Sequence, residues 1–228
     1  LFLLMMKAQF LILDFDNTII RGETMDELAR ISLSQSTKKA QIISEIESIT
    51  ASGMSGEMPF DESLTKRIQL LKANKSHVNQ LISSLRERID DSIIKHFEFF
   101  NHHKEKIFII SGGFKTVIEQ VLEKMPFIKN HIFGNEFIFD QAGWVTGTNK
   151  NNLLSKHNGK SKLLASLKLN GNILVVGDGY SDAEMKISGQ ANLFFAYTGN
   201  VKRNAVLPHA DLTVISFDEV INSLEMCE

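Results

Sequence analysis

The chain has 228 residues, 43% of them hydrophobic, and a formal net charge of -2 from 25 basic and 27 acidic side chains. That is enough apolar material for one large domain, or a main domain carrying a smaller one, which excludes general disorder. The near-balanced charge excludes a polycationic face for nucleic acid or anionic lipid, so a monomer or homodimer acting on a small molecule is expected, with no nucleic-acid and no membrane partner. The only cysteine, Cys227, leaves no disulfide framework or thiolate metal site and fits a reducing, cytoplasmic setting.

The opening LFLLMM starts on Leu, has no positive residue ahead of its apolar run and no small-residue cleavage site. It is read as an upstream remnant, not a signal peptide, and as uninformative about the fold. No segment approaches the roughly 20 apolar residues that span a bilayer. The first strand is expected over residues 10–14, within LILDFDNTII (11–20), where an apolar run leads into two aspartates one residue apart. About 90 residues then precede the next strand, far more than a βα link needs, so the intervening chain is an inserted subdomain. Ile42, Ile43, Ile46 and Ile49, then Leu64, Ile68 and Leu71, then Val78, Leu81, Ile82 and Leu85 recur at helical spacing. They predict a small helical bundle, a cap, over residues 21–88, leaving 1–20 and 89–228 as the core. Residues 91–100, with Ile93, Ile94, Phe97 and Phe100, read as the helix that returns the chain to the sheet.

Further strands are expected at 107–110, 173–176 and 193–197, with a weaker one at 212–215. Helical spacing falls between them, at Val117, Ile118, Val121 and Leu122 and at Leu163, Leu164 and Leu167. This alternation predicts an α/β fold with a doubly wound, mostly parallel sheet. Residues 135–140 and 144–148, flanking Gln141, Ala142 and Gly143, predict a short β-hairpin on which Trp144 packs or caps an edge.

The chemistry-bearing residues fall at the ends of these strands. Asp14 and Asp16 are two positions apart and on a strand would project to one side, with Phe15 facing the core. Two adjacent carboxylates call for a cation between them or a retained proton, although a DxD pair also caps turns. IFIISGGF (107–114) places Ser111, Gly112 and Gly113 where a hydroxyl and bare amides suit a phosphate, or form an ordinary βα turn. LVVGDGYSDAEM (174–185) supplies Asp178 and Asp182, hard donors that suit Mg²⁺. HNGKSKLL (157–164) puts Lys160 at a helix start, ready to neutralise an anion or simply exposed.

In the order DxDxT, Ser, Lys, DGxxD, these residues resemble the haloacid dehalogenase superfamily of phosphotransferases, across the whole sheet domain. The resemblance implies a Rossmann-like core with Asp14 as nucleophile and Asp16 as general acid-base. It further implies phosphate contacts from Thr18, Ser111, Gly112, Gly113, Lys160 and Ser181. Mg²⁺ would be held by Asp14, the main-chain carbonyl of Asp16, and Asp178, with Asp182 supporting. Lys156 and Lys162 are nearby candidates for the lysine.

RGETMDELA supplies Glu23, and residues 52–72 supply Met54, Phe60 and Arg67. These could belong to a helical lid with a solvated Glu and Arg. With DFDNT, ETMDE and FDESLTKR, however, the chain resembles the phosphoserine phosphatase family. That resemblance implies that Glu23 meets a substrate ammonium, Arg67 its carboxylate, and Met54 and Phe60 close over it. Such opposed charges suit a zwitterion, and Arg binds a carboxylate through two parallel hydrogen bonds. Here GDGYSD, with Tyr180 and Ser181, stands where the family often has GDGxND, and Asn17 stands where Ser is common; Tyr180 is a candidate for the pocket mouth.

The expected function is Mg²⁺-dependent hydrolysis of a phosphomonoester through an aspartyl-phosphate, with L-phosphoserine, as in serine biosynthesis, the leading substrate. Competing readings are another small phosphomonoester (a phosphorylated amino alcohol or sugar acid), transfer to an acceptor other than water, and a non-enzymatic phospho-aspartate switch. His102 and His103 lack zinc spacing and are expected at the surface, and Lys202 and Arg203 are expected to be solvated.

Overall fold

A computed structural model describes residues 6–227 of the chain. Its elements run β1 (Met6–Ala8), β2 (Phe10–Leu13), α1 (Thr24–Ser32), α2 (Lys39–Ser55), α3 (Phe60–Leu70), α4 (Lys75–Arg86), α5 (Asp91–Lys95), α6 (Phe97–His103) and β3 (Ile107–Phe114). They continue with α7 (Lys115–Val121), β4 (Ile132–Asn135), β5 (Phe137–Phe139), β6 (Val145–Thr148), α8 (Gly159–Leu167) and β7 (Ile173–Gly177). The last are α9 (Tyr180–Ile187), β8 (Leu193–Tyr197), β9 (Leu212–Val214), α10 (Phe217–Asn222) and β10 (Leu224–Met226). Among the described residues, no helix is long and apolar enough to cross a membrane.

Six strands form a parallel sheet in the order β4-β3-β2-β7-β8-β9. Because both faces are covered, the central strands read as unbroken apolar runs, FLIL and ILVVG, and not as alternations. Successive side chains still go to opposite faces. Leu11, Leu13, Ile107, Ile109, Leu174 and Val176 join one buried cluster, while Ile12, Phe108, Ile110, Ile173 and Val175 join the other. From β2 the sheet grows through β3 and β4 on one side and through β7, β8 and β9 on the other. The carboxyl ends of β2, β3 and β7 therefore border the switch point where open α/β sheets bind ligands.

Helices α1 to α4 leave and rejoin the sheet at one neck, where Ile20 bridges Ile89 and the Arg21 amide donates to the Arg88 carbonyl at 2.8 Å. Their apolar faces, including Leu28, Leu64, Ile68, Val78 and Leu81, share a continuous core with Phe114, Val117 and Val121. The two glycines that matter most to the mouth of the cleft come from this region and from β3. Gly56, which ends α2, has φ 84°, a left-handed conformation suited to glycine, and Gly112 leaves no room for a Cβ against the Phe60 ring.

Several expectations are corrected. Met6 is not an uninformative remnant, since it starts β1, which pairs in parallel with β10; residues 1–5 lie outside the described residues. Strand β3 extends through Ser111, Gly112 and Gly113 to Phe114, with a register shift against β4 between Ile110 and Phe114, so the glycines lie in an irregular strand end and not in a turn. Asn135 belongs to β4 in the main sheet, and the hairpin proper is β5 with β6. Trp144 remains 44% exposed at its turn, bridged to Asn74 and edge-on to His77. The single helix expected over 91–100 is two helices broken at His96, and Ile94 faces solvent at 52% exposure while Ile93 and Phe100 are buried.

Phe100 packs its ring 5.6, 5.5 and 5.8 Å from those of Phe99, Phe127 and Phe217. Phe100→Ala should therefore lower unfolding free energy by about 3–5 kcal/mol. Ile94→Ala should stay within about 0.5 kcal/mol of the parent. Urea titration checks both, and comparable losses from the two would contradict the break at His96.

Candidate active site

Asp14 follows β2 directly and Asp178 follows β7, while Ser111 lies within β3, so three adjacent strands deliver their polar groups to one edge. Asp14 and Asp16 do come together, but not by strand alternation. The chain turns after Leu13, with the Ile19 and Ile20 amides both donating to the Phe15 carbonyl, and Phe15 is buried in the core as expected. Asn17 sits in this turn at φ 51°, a left-handed conformation that Asn tolerates better than most residues. Its side chain accepts from the Gly22 amide at 3.2 Å and donates to Glu23 at 2.7 Å, which makes Asn17 the positioner of Glu23.

The two aspartates have opposed surroundings. Asp14 accepts from the Phe15 amide at 2.7 Å and pairs with the Lys160 ammonium at 2.9 Å. Asp16 instead accepts from the Thr24 amide at 3.0 Å and from the Thr24 hydroxyl, and has no cationic partner among the described residues. Burial, together with the charge of Asp14, outweighs the Thr24 hydrogen bonds and raises Asp16 to about 7. Burial works against the charge of Lys160, but the carboxylates of Asp14 and Asp182, the latter at 2.7 Å, overcome it and hold the ammonium firmly protonated. Asp182 also accepts from the Gly179 amide at 3.0 Å; burial and Asp14 push it well above the usual carboxylate range. Neither alternative lysine competes geometrically at the carboxylates: Lys162 donates to the His157 carbonyl and Lys156 lines a neighbouring hollow.

A second charge group lies beside the first. Arg203 donates through Nε to Asp178 at 2.9 Å and through a terminal nitrogen to Glu23 at 3.0 Å, so the expectation of a solvated Arg203 is overturned. Its loop is tied down by Asn200, whose side-chain amide donates to the Asn17 carbonyl at 3.0 Å. Burial raises Glu23 to about 8, with Asp16 adding to the shift and Arg203 opposing it. Burial and Glu23 raise Asp178 to about 7. Arg67 is buried yet takes part in no ion pair among the described residues; it makes long hydrogen bonds of 3.4 Å to the Ser63 carbonyl and the Thr50 hydroxyl.

One cleft is lined by Asp14, Asp16, Glu23, Met54, Phe60, Arg67, Ser111, Gly112, Gly113, Lys160 and Ser181, together with Met25, which sequence reasoning did not select. Asp178 and Asp182 lie beneath it, their carboxylate oxygens grouped with those of Asp14. Thr18 is buried in the turn with an unpartnered hydroxyl and does not line the cleft. The Gly113 amide already donates to Ser111 Oγ at 2.9 Å, which occupies that amide and leaves the hydroxyl proton free to point at a ligand. Asn135, also unselected, braces this strand end by donating to the carbonyls of Gly112 and Leu154 at 2.9 and 3.0 Å. The short polar motif around Asn17 and Thr24 was available to a local reading; Arg203 and Asn135 act across the fold and left no local signal.

A family model for haloacid dehalogenase-like hydrolases matches residues 11–185. The chain belongs to this family. It is therefore an enzyme of a hydrolase family, as its motifs implied. The chloroplastic phosphoserine phosphatase of Arabidopsis thaliana is 30% identical over 215 residues, 93% of this chain and 70% of that protein. The phosphoserine phosphatase of Homo sapiens is 28% identical over 222 residues, 96% of this chain and 94% of that protein. A phosphoserine phosphohydrolase-like protein from Francisella tularensis shares the fold with a TM-score of 0.86 at 24% identity, over 95% of this chain and all of that one. A phospho-aspartyl intermediate analogue of phosphoserine phosphatase aligns with a TM-score of 0.77 at 23% identity, over 96% of this chain and 100% of that one.

Haloacid dehalogenase-like phosphatases generally use Mg²⁺. The residues here fit such an ion. Carboxylate oxygens of Asp14, Asp178 and Asp182 lie within 4.8 Å of one another, all buried, and Asp178 Oδ1 has no hydrogen-bond partner. These are hard oxygen donors, the type Mg²⁺ prefers. The acidic group joins Asp182, expected in a supporting role, to Asp14 and Asp178, and the carboxylate of Asp16, whose expected contribution is its main-chain carbonyl, is turned toward Thr24.

Asp16 and Asp178 stand at about 7 and Glu23 at about 8, against ordinary values of 3.8 and 4.5. The folded chain thus binds more protons than the unfolded one above the ordinary values, and the associated stability is lost as pH rises through the folded values. Metal-free protein in chelator should need less urea to unfold near pH 8 than near pH 6, and Glu23→Gln should shrink that difference. A midpoint that rises over the same interval would contradict the assignment.

Proposed function

We propose that this hydrolase is a phosphomonoesterase that works through an aspartyl-phosphate on Asp14, with L-phosphoserine as its leading substrate. The observation that carries the reading is the pair of buried aspartates in opposed surroundings: Asp14 beside the Lys160 cation, Asp16 held by Thr24 and shifted to about 7. In this reading residues 21–88 are the substrate-selecting cap and residues 1–20 and 89–228 the catalytic core.

Asp14 attacks phosphorus and releases the alcohol, while Asp16 gives its proton to the leaving oxygen. Asp16, now a carboxylate, then takes a proton from the water that cleaves the phosphoryl-aspartate and regenerates Asp14. Lys160 and the Ser111 hydroxyl face the negative charge of the phosphoryl oxygens, and their burial strengthens that stabilisation. Asp14 and Asp178, with the main-chain carbonyl of Asp16, would hold Mg²⁺, and Asp182 would support them. The ion would add positive charge beside the transferring group. Met54 and Phe60 cover the cleft and limit bulk water during transfer.

Recognition of the amino acid rests on Arg67 and Glu23. The Arg67 guanidinium, buried with only two long hydrogen bonds, retains donors for a carboxylate. Glu23 already receives Arg203 and Asn17, so a substrate ammonium would share an existing charge network. Because Arg203 already compensates Glu23, one alternative is favoured, a phosphorylated sugar acid, whose carboxylate would meet Arg67 and which has no ammonium to place.

Phosphate release from L-phosphoserine, phosphoethanolamine and phosphoglycerate with Mg²⁺ tests the reading. Asp14→Asn should abolish turnover of all three. Arg67→Ala should remove a charged hydrogen bond of about 1.5–3 kcal/mol, lowering kcat/KM for phosphoserine on the order of 10- to 100-fold and leaving phosphoethanolamine nearly unchanged. Preference for phosphoglycerate by the parent enzyme would favour the sugar-acid reading, and retained turnover in Asp14→Asn would sink the mechanism.

A further inference from the structure

Three contacts of side chains on glycines surround the cleft mouth. The Phe60 ring lies where a Cβ on Gly112 would fall, 2.6 Å away, and Met54 Sδ lies 3.2 Å from the Cβ position of Gly179. Both reach from the helical segment down to the ends of β3 and β7. The third runs the other way: the Tyr180 ring, rising from the first turn of α9, has carbons 2.8 Å from the Cβ position of Gly56 at the end of α2. Its ring also meets His209 edge-on, with centroids 5.6 Å apart and planes at 81°, which fixes its orientation from the opposite side.

Met54 and Phe60 line the cleft itself; Tyr180 does not. Tyr180 lines an outer groove of about 420 Å³ together with Gly56, Pro59, Phe60, His157 and Ser181. Phe60 and Ser181 border both spaces, so they form the partition between groove and cleft. A ligand tail that leaves the cleft between Phe60 and Ser181 enters the groove, and widening that passage requires residues 53–60 to lift away from α9. The Tyr180 ring seated against Gly56 resists that movement.

We propose that Tyr180 is a specificity-determining residue: seated in the notch that Gly56 leaves open, it keeps residues 53–60 closed over the cleft and restricts the enzyme to compact phosphomonoesters. The inference rests on the phosphomonoesterase reading above and adds a determinant outside the residues that would touch substrate. It also gives a physical role to the tyrosine in GDGYSD. The seam depends on the aromatic ring and not on its hydroxyl, because the contacts to Gly56 are made by ring carbons.

Two readouts test it in parallel on the full chain: amide hydrogen exchange of residues 53–60, and kcat/KM for p-nitrophenyl phosphate relative to L-phosphoserine. Tyr180→Ala should speed exchange in that segment and raise the aryl-to-serine ratio on the order of 10-fold, whereas Tyr180→Phe should match the parent in both. Gly56→Ala, whose methyl would displace the ring, should resemble Tyr180→Ala. Gly56→Ala should raise the ratio less in the Tyr180→Ala background than in the parent, because the left-handed strain at residue 56 is common to both backgrounds while the clash with the ring is present only in the parent. Unchanged exchange in Tyr180→Ala, or additive effects in the double variant, overturns the proposal. If the parent releases phosphate from the aryl ester but not from phosphoserine, the substrate reading fails alone. Faster exchange in Tyr180→Ala with a higher ratio of aryl to phosphoethanolamine turnover would then support the latch, and parental values of both would overturn it.

Discussion

Carboxylates outnumber cations at the cleft: Asp14, Asp16, Asp26, Asp178 and Asp182 are buried and Glu23 is nearly so, around Lys160, Arg203 and Arg67. Full ionisation would leave uncompensated negative charge away from water, a state that buried groups avoid by binding protons or a metal cation. Protons serve in part, as the raised values of Asp16, Glu23, Asp178 and Asp182 indicate. A divalent cation would offset the same excess. The excess of acid over base thus accounts both for the affinity of the site for a hard cation and for the proton that Asp16 is proposed to deliver.

The sheet makes this concentration of charge possible. Its central strands are apolar on both faces, so nothing polar needs accommodation until each strand ends. At those ends the chain turns outward on either side of the switch point, and Asp14, Ser111 and Asp178 meet over the gap. Lys160 and Asp182 come from the first turns of α8 and α9 and are fixed by one another. Arg203 comes from farther along the chain and links two acids that belong to different parts of the fold, Asp178 at the strand end and Glu23 at the start of α1.

Much of this was legible in the sequence because it is local. Apolar runs ending in Asp or Ser-Gly-Gly located the central strands, and helical spacing located α2, α3 and α4. The extension of β3 was hidden because Ser111, Gly112 and Gly113 carry no strand-forming side chains, and their extended form is held from outside by Asn135. Strand β4 was hidden because IFGN is short and runs directly into the hairpin. The break at His96 escaped notice because Ile94 continues the apolar spacing although its side chain faces water. Arg203 looked like an ordinary loop cation, since nothing near it in the sequence reveals that Asp178 and Glu23 will be its neighbours. Pairings across the fold, more than residue types, were what the sequence concealed.

The placement of β2 also has a bearing on synthesis. The segment that carries Asp14 leaves the ribosome well before one of its two sheet neighbours, β7, which follows about 160 residues later. Until β7 emerges the nascent chain therefore presents an apolar strand with one edge open, bordered by acidic groups of which two basic counterparts, Lys160 and Arg203, lie later in the sequence. Exposed in that interval, FLIL is a segment that gains from shielding until the sheet is completed.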